Sequence, residues 1–236
     1  MADSRSNSIC AVASAGGEGP SGEGRQADQI IKRPKFYRII GKHVARGSGF
    51  ELLNGGALFP EHPKALPPPK ALLPPLGQRG FREYPEMPVF LADARLGLIH
   101  RDFEEYSGYW FISDRMKTVV ERIDPNAFAF LKCRVQLRDG TDGPLRWLCD
   151  VIRVLDALDE HNSKVTIGAS DIGSKTYYIP MLGHAFFRAE EVGRNHIFRV
   201  MFTDSYIVCD EEMKLACKAN DLTGIVFDDL TGRRRK

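Results

Sequence analysis

Seven of the chain's 14 prolines crowd into one stretch, Pro60 to Pro75 (PEHPKALPPPKALLPP), and no other feature restricts the fold as much. Each proline fixes φ near about −65° and lacks the N–H that a helix or an inner strand must donate. The stretch is therefore expected to be an extended, polyproline-like connector. Its leucines, Leu66, Leu72 and Leu73, are expected to lay it along the domain surface. Structure of other kinds has to be found before it and after it.

Before it, residues 1–29 are rich in Gly, Ser, Ala and Glu and show no hydrophobic periodicity. Such a segment cannot bury enough apolar surface to offset the entropy lost on ordering, so it is expected to be a disordered tail. Residues 30–87 then form an N-terminal strand region, with KFYRII (residues 35–40) as its strand, followed by the proline-rich connector. Residues 88–231 carry the densely patterned part.

There, Tyr109-Trp110-Phe111-Ile112 reads as a strand, since aromatic and β-branched side chains suit a pleated, half-buried surface. Ser113-Asp114 supplies N-cap chemistry, and Met116, Val119, Val120 and Ile123 follow with the i, i+3, i+4, i+7 spacing of an amphipathic helix. A second unit follows the same grammar. Ser205 to Val208 is a strand, Asp210 a cap, and Met213, Ala216 and Cys217 a helical face; Asn220 to Gly224 stops the helix before a returning strand, Gly224 to Phe227. Between the two lie strand candidates at Ala129–Leu137, Val165–Gly168, Thr176–Ile179, His184–Arg188 and His196–Phe202. Asp139-Gly140 and Asp142-Gly143 favour a hairpin, while Leu145 to Leu158 fits a helix or a strand equally. Strands outnumber helices and follow one another directly, which predicts an α+β fold built on a mostly antiparallel sheet with a few packed helices.

Composition removes several functional classes. No apolar run approaches the roughly 18 residues of a membrane span. The apolar patch Ile9 to Ala15 makes a poor signal peptide, so a cytoplasmic location is expected. The five cysteines (Cys10, Cys133, Cys149, Cys209, Cys217) form no CxxC pair and suit a reducing compartment. With 33 basic against 31 acidic side chains, the charge balance demands neither nucleic acid nor a membrane surface.

The chemical motifs are decoys. Gly17 to Gly22 matches GxGxxG but has no strand before it and no helix after it. His100-Arg101-Asp102 resembles a kinase catalytic loop, yet Ser107 stands where a metal-holding Asn is needed, so a solvated polar loop is expected. The six histidines are scattered singly, and Asp156, Asp159, Glu160 and His161 suggest a charged end of an element more than an oxygen-ligand site. No nucleophile elbow or partnered cysteine appears, so no catalytic residue, metal or cofactor is expected. The segment 32–46, with Lys32, Arg33, Lys35, Arg38, Lys42 and Arg46 around Phe36 and Tyr37, offers an alternative nucleic-acid-binding reading. A strand with one solvated basic face accounts for it more simply.

A set of ordered pieces carries a resemblance. Trp110 to Arg115 with its helix, Trp147 to Asp159 with Ser163 after it, Ile197 to Val200, Ile207 to Glu212, and Leu222 to Phe227 look like a bacterial family of immunity proteins from polymorphic toxin systems, with a myxobacterial type member. The family was first catalogued as a domain of unknown function. The resemblance spans about residues 88–230; Cys209 stands where the family pattern leads one to expect serine. It implies a protein that binds and neutralises a cognate toxin by occluding its active surface, with no catalysis of its own. Two acidic clusters are the expected partner-binding surface: Asp156, Asp159 and Glu160, and Asp210, Glu211 and Glu212. Carboxylates so placed would meet the basic cleft of a nuclease-type toxin.

Overall fold

The computed structural model of the chain describes residues 34–43, 48–58, 78–169, 173–180, 184–203 and 206–231. The tail expected over 1–29, the GxGxxG letters and the proline-rich stretch 60–75 lie outside the described residues. In chain order the elements are β1 (Phe36–Gly41), β2 (Phe50–Leu52), α1 (Gly55–Leu58), β3 (Val89–Ala92), β4 (Phe103–Tyr106) and β5 (Tyr109–Ser113). Next come α2 (Asp114–Ile123), β6 (Phe128–Leu137), β7 (Arg146–Val151), β8 (Val154–Leu155), β9 (Thr166–Ala169) and β10 (Lys175–Tyr178). The last are α3 (Ala189–Val192), β11 (Ile197–Val200), β12 (Ile207–Asp210), α4 (Glu211–Ala219) and β13 (Ile225–Asp229).

Among the described residues the strands make a five-stranded sheet, β13-β1-β12-β11-β8, a six-stranded sheet, β2-β3-β6-β7-β5-β4, and a separate ribbon of β9 and β10. Pairing is antiparallel except at β3–β6 and β8–β11, which is the mostly antiparallel α+β architecture expected. Strands β1 and β2 precede the proline-rich stretch in the chain, yet each hydrogen-bonds into a sheet made by later strands.

The two capped helices join the sheets. Ser113 Oγ accepts the Met116 N–H at 3.1 Å to start α2, and Asp210 Oδ1 accepts the Met213 N–H at 2.9 Å to start α4. Both caps satisfy a backbone donor that the first helical turn leaves orphaned. Met116 and Val120 of α2 and Met213 and Cys217 of α4 share one core with Trp110 and Cys149 of the six-stranded sheet and Ile197 and Cys209 of the five-stranded one. Side chains alternate faces along a strand, so Phe198 and Val208, one residue on, enter a second core with Phe36 and Phe187.

Leu145–Leu158 resolves as strand: β7 lies between β5 and β6, and β8 follows it. Leu148, Cys149 and Val151 are all buried, because an inner strand covered on both faces keeps apolar residues at consecutive positions. That removes the period-two signal and leaves the spacing looking helical. His184–Arg188, expected as a strand, forms only the isolated bridge between Phe187 and Leu158. The Asp139-Gly140 turn does close the β6–β7 hairpin, with Gly140 at φ 85° and the Leu137 N–H donating to Thr141 O at 2.8 Å.

Arg101 and Asp102 are not a solvated loop. Asp102 is buried and accepts from Ser113 Oγ (2.7 Å), Arg115 Nη2 (2.7 Å), and both the N–H and hydroxyl of Thr223 (2.8 Å each). It ties β4, the start of α2 and the turn after α4 together. Burial by itself would raise the Asp102 pKa, but the Arg115 guanidinium, the Thr223 donors and the Ser113 hydroxyl overcome it and hold the carboxyl down at about 2. A carboxyl depressed on folding stabilises the fold above its unfolded pKa of about 3.9, and that contribution is lost as pH falls toward 2. Acid titration followed by circular dichroism should show stability falling between about pH 4 and pH 2. Asp102→Asn should be less stable at neutral pH and should flatten that fall; a parallel acid limb in the variant would show that other carboxylates set it.

Candidate functional site

Strand register decides where the two acidic clusters lie. Strand β8 runs parallel to β11 with Leu155 beside Val200, so Asp156 follows next to Met201. Strand β12 runs antiparallel to β11 with Cys209 beside Ile197, so Asp210 lies opposite His196. The clusters therefore flank opposite ends of β11, roughly 16 Å apart along a strand rising about 3.3 Å per residue. The structure does not gather all six carboxylates at one point.

Most of the six also have local partners. Asp159 accepts from Asn162 twice, from Nδ2 at 2.7 Å and from the backbone N–H at 3.1 Å, and these bonds hold its carboxyl below the usual range. Glu160 accepts from Lys175 Nζ and from the Tyr177 hydroxyl, both at 2.5 Å, and is likewise held low. Glu211 accepts from the Tyr37 hydroxyl at 3.0 Å, which lowers its pKa, with Lys214 Nζ at 3.5 Å and Lys35 Nζ at 4.0 Å. Asp210 spends one oxygen on the α4 cap. Asp156 keeps a side chain 48% exposed, with the Arg188 guanidinium 3.9 Å away, and Glu212 one 65% exposed. These two present the most outward charge.

The second cluster gains a residue that sequence reading treats as isolated. His196 Nδ1 lies 2.8 Å from Asp210 Oδ2 and 3.8 Å from Glu212 Oε2. The three ligand atoms lie within 4.8 Å of one another, the group among the described residues whose geometry could hold a metal ion. Asp156, Asp159, Glu160 and His161 do not converge in this way. The signal was present in the two apolar strands, Ile197–Val200 and Ile207–Asp210. Pairing them antiparallel brings 196 opposite 210, but register is not written in either strand alone.

The cysteines among the described residues are sealed. Cys133, Cys149, Cys209 and Cys217 are buried, and burial raises all four thiols, Cys133 and Cys217 up to about 12. Burial therefore disfavours the thiolate at all four. A cleft of about 420 Å³ between β1 and the β4–β5 turn is lined by Arg38, His43, Glu105, Trp110 and Arg199 among others, without a serine, threonine or cysteine among the described residues. Glu105 already accepts the Gly41 N–H at 3.0 Å, and Arg199 donates to Asp150 at 2.9 Å.

The aromatics of the basic segment are not available to stack on bases. Phe36 and Tyr37 are 5% and 3% exposed, inside the cores, and the Arg38 guanidinium sits 4.6 Å over the Tyr206 ring. The residues of the resembling pieces are mostly braces. Ser113, Arg115 and Thr223 serve Asp102, Arg199 serves Asp150, and Asp210 caps α4.

Residues 35–232 match the family described as "Immunity protein family (Imm11)", a match that takes in β1 and β2 as well as Pro88 to Gly232. No curated protein matches the chain.

Proposed function

Because this chain belongs to the immunity protein family (Imm11), we propose that it binds one cognate protein toxin in the cytoplasm and neutralises it by covering its active surface. The family match over residues 35–232 carries this reading. Two features support it: the thiols among the described residues are buried, and no helix there is long and apolar enough to cross a membrane. Binding and occlusion need only a rigid surface of matched charge and shape, and the braced sheets supply the rigidity.

Of the six acidic residues, Asp156 and Glu212 are the ones we assign to steering, since reversing Asp159, Glu160, Asp210 or Glu211 would also break local structure. A basic, nuclease-type cleft is the partner surface their charge suits. Co-expression with a candidate toxin encoded by a neighbouring gene should restore growth and yield a co-purifying complex. Failure of the pair to rescue growth and to co-purify would overturn the reading. Exchanging both Asp156 and Glu212 for lysine should slow association on the order of tenfold in low salt and much less in high salt, measured by stopped flow. Unchanged rates at low salt would remove these two residues from the interface.

A further inference from the structure

We propose that His196, Asp210 and Glu212 form a three-donor site for a divalent transition-metal ion of the zinc class. The site stands apart from the toxin reading except at Glu212, whose steering charge a bound ion would neutralise. It rests on how three residues from a strand start, a strand end and a helix start are held.

Two of the three donors are fixed before any ion arrives. The His196 backbone is pinned on both sides: its N–H donates to Asp124 Oδ2 at 3.0 Å, and its carbonyl accepts the Asp210 N–H at 3.0 Å. Asp124 is in turn held by the Arg153 guanidinium. Asp210 is oriented by its own cap, since Oδ1 takes the Met213 N–H and leaves Oδ2 aimed at the imidazole. Glu212, in the first turn of α4, stands over them with a mostly exposed side chain that can close without disturbing the core.

The spacings place three donor atoms around a common point, with one pair already hydrogen-bonded. Ligands about 2.0–2.2 Å from zinc in a tetrahedron lie roughly 3.3–3.6 Å from one another. His196 Nδ1 sits 2.8 Å from Asp210 Oδ2, a hydrogen bond that an ion would replace by opening it about 0.5–0.8 Å, and 3.8 Å from Glu212 Oε2, which is too long for a hydrogen bond and close to the ligand spacing. Two carboxylate oxygens within 4.8 Å of one another repel, and a dication between them would convert that repulsion into attraction. The nearby cations are engaged elsewhere, Arg153 with Asp124 and Lys35 and Lys214 with Glu211.

The donor set also selects the class of ion. An imidazole nitrogen with two carboxylates suits zinc and its neighbours in the first transition row, whereas calcium and magnesium prefer oxygen alone. Two carboxylates balance the charge of a dication while the imidazole is neutral. Three protein donors leave a fourth tetrahedral position for water or for a side chain of another molecule.

Calorimetric titration of the metal-stripped full chain with Zn²⁺ should show saturable micromolar binding, and Co²⁺ should give a visible absorption band that Zn²⁺ removes. Glu212→Gln changes an exposed side chain and should weaken Zn²⁺ at least about tenfold. Asp210→Asn keeps N-cap chemistry and should weaken it comparably. Absence of saturable Zn²⁺ binding would overturn the proposal. Binding that neither substitution weakens would also overturn it, by placing the ion elsewhere on the chain.

Discussion

Replacing Asp150 with alanine should lower the unfolding free energy by about 3–5 kcal/mol, read as a fall in the denaturant midpoint. Asp150 is 0% exposed and Arg199 is 2% exposed, and the two meet at 2.9 Å where β7 of one sheet approaches β11 of the other. The Arg199 Nε–H also reaches the Val151 carbonyl at 3.3 Å, and Asp150 Oδ2 takes the Gly80 N–H at 2.8 Å. Removing the carboxylate would strand a guanidinium that burial already disfavours in its charged form, together with an unpaired N–H. Breaking a buried pair costs far more than the pair itself contributes. Hence the double variant Asp150→Ala with Arg199→Met should be less destabilised than Asp150→Ala alone. A double variant worse than either single one would mean that the pair stabilises by itself.

A comparable loss, about 3 kcal/mol or more, is expected for Gly224→Ala. Gly224 adopts φ 89°, where a side chain is strained, and a Cβ there would lie 2.3 Å from the Phe103 carbonyl oxygen and 3.2 Å from Arg101 Cβ. The close approach exists because the turn after α4 is stitched to two strands: the Phe103 N–H donates to Thr223 O at 3.1 Å and the Lys42 N–H to Gly224 O at 2.8 Å. The turn cannot back away without breaking these bonds. Gly193 separates strain from crowding. It has φ 57° but nothing within 4 Å of its would-be Cβ, so Gly193→Ala should cost only about 1 kcal/mol. Thermal and denaturant unfolding of both variants would test this; equal losses would show that the backbone angle alone accounts for the cost at Gly224.

The stability predictions and the functional reading meet in the family-like pieces. Gly224, Thr223, Arg199 and Ser113 are where the resemblance is carried, and each holds the fold together. A toxin-facing surface answers to its partner, so its residues follow no internal chemical pattern. This explains why the pieces identify the family while leaving the contact face to charge arguments.

Local chemistry made much of the architecture legible. The caps Ser113 and Asp210, the helical stripes after them, the KFYRII and YWFI strands and the Asp139-Gly140 turn all follow from interactions within a few residues, so the chain carries their instructions in adjacent letters. The same holds for the α+β class, which follows from the ratio and order of such elements. What tertiary structure alone decided is everything that depends on pairing between distant strands. The burial of Asp102 among Ser113, Arg115 and Thr223 needs contacts 121 residues apart. The strand identity of β7 depends on its being covered on both faces. The meeting of His196 with Asp210, and the parting of the two acidic clusters to opposite ends of β11, depend on register. The physical reason is common to all three: a strand's hydrogen bonds are made to another strand, so no strand's own sequence states which partner, at which offset, will supply them.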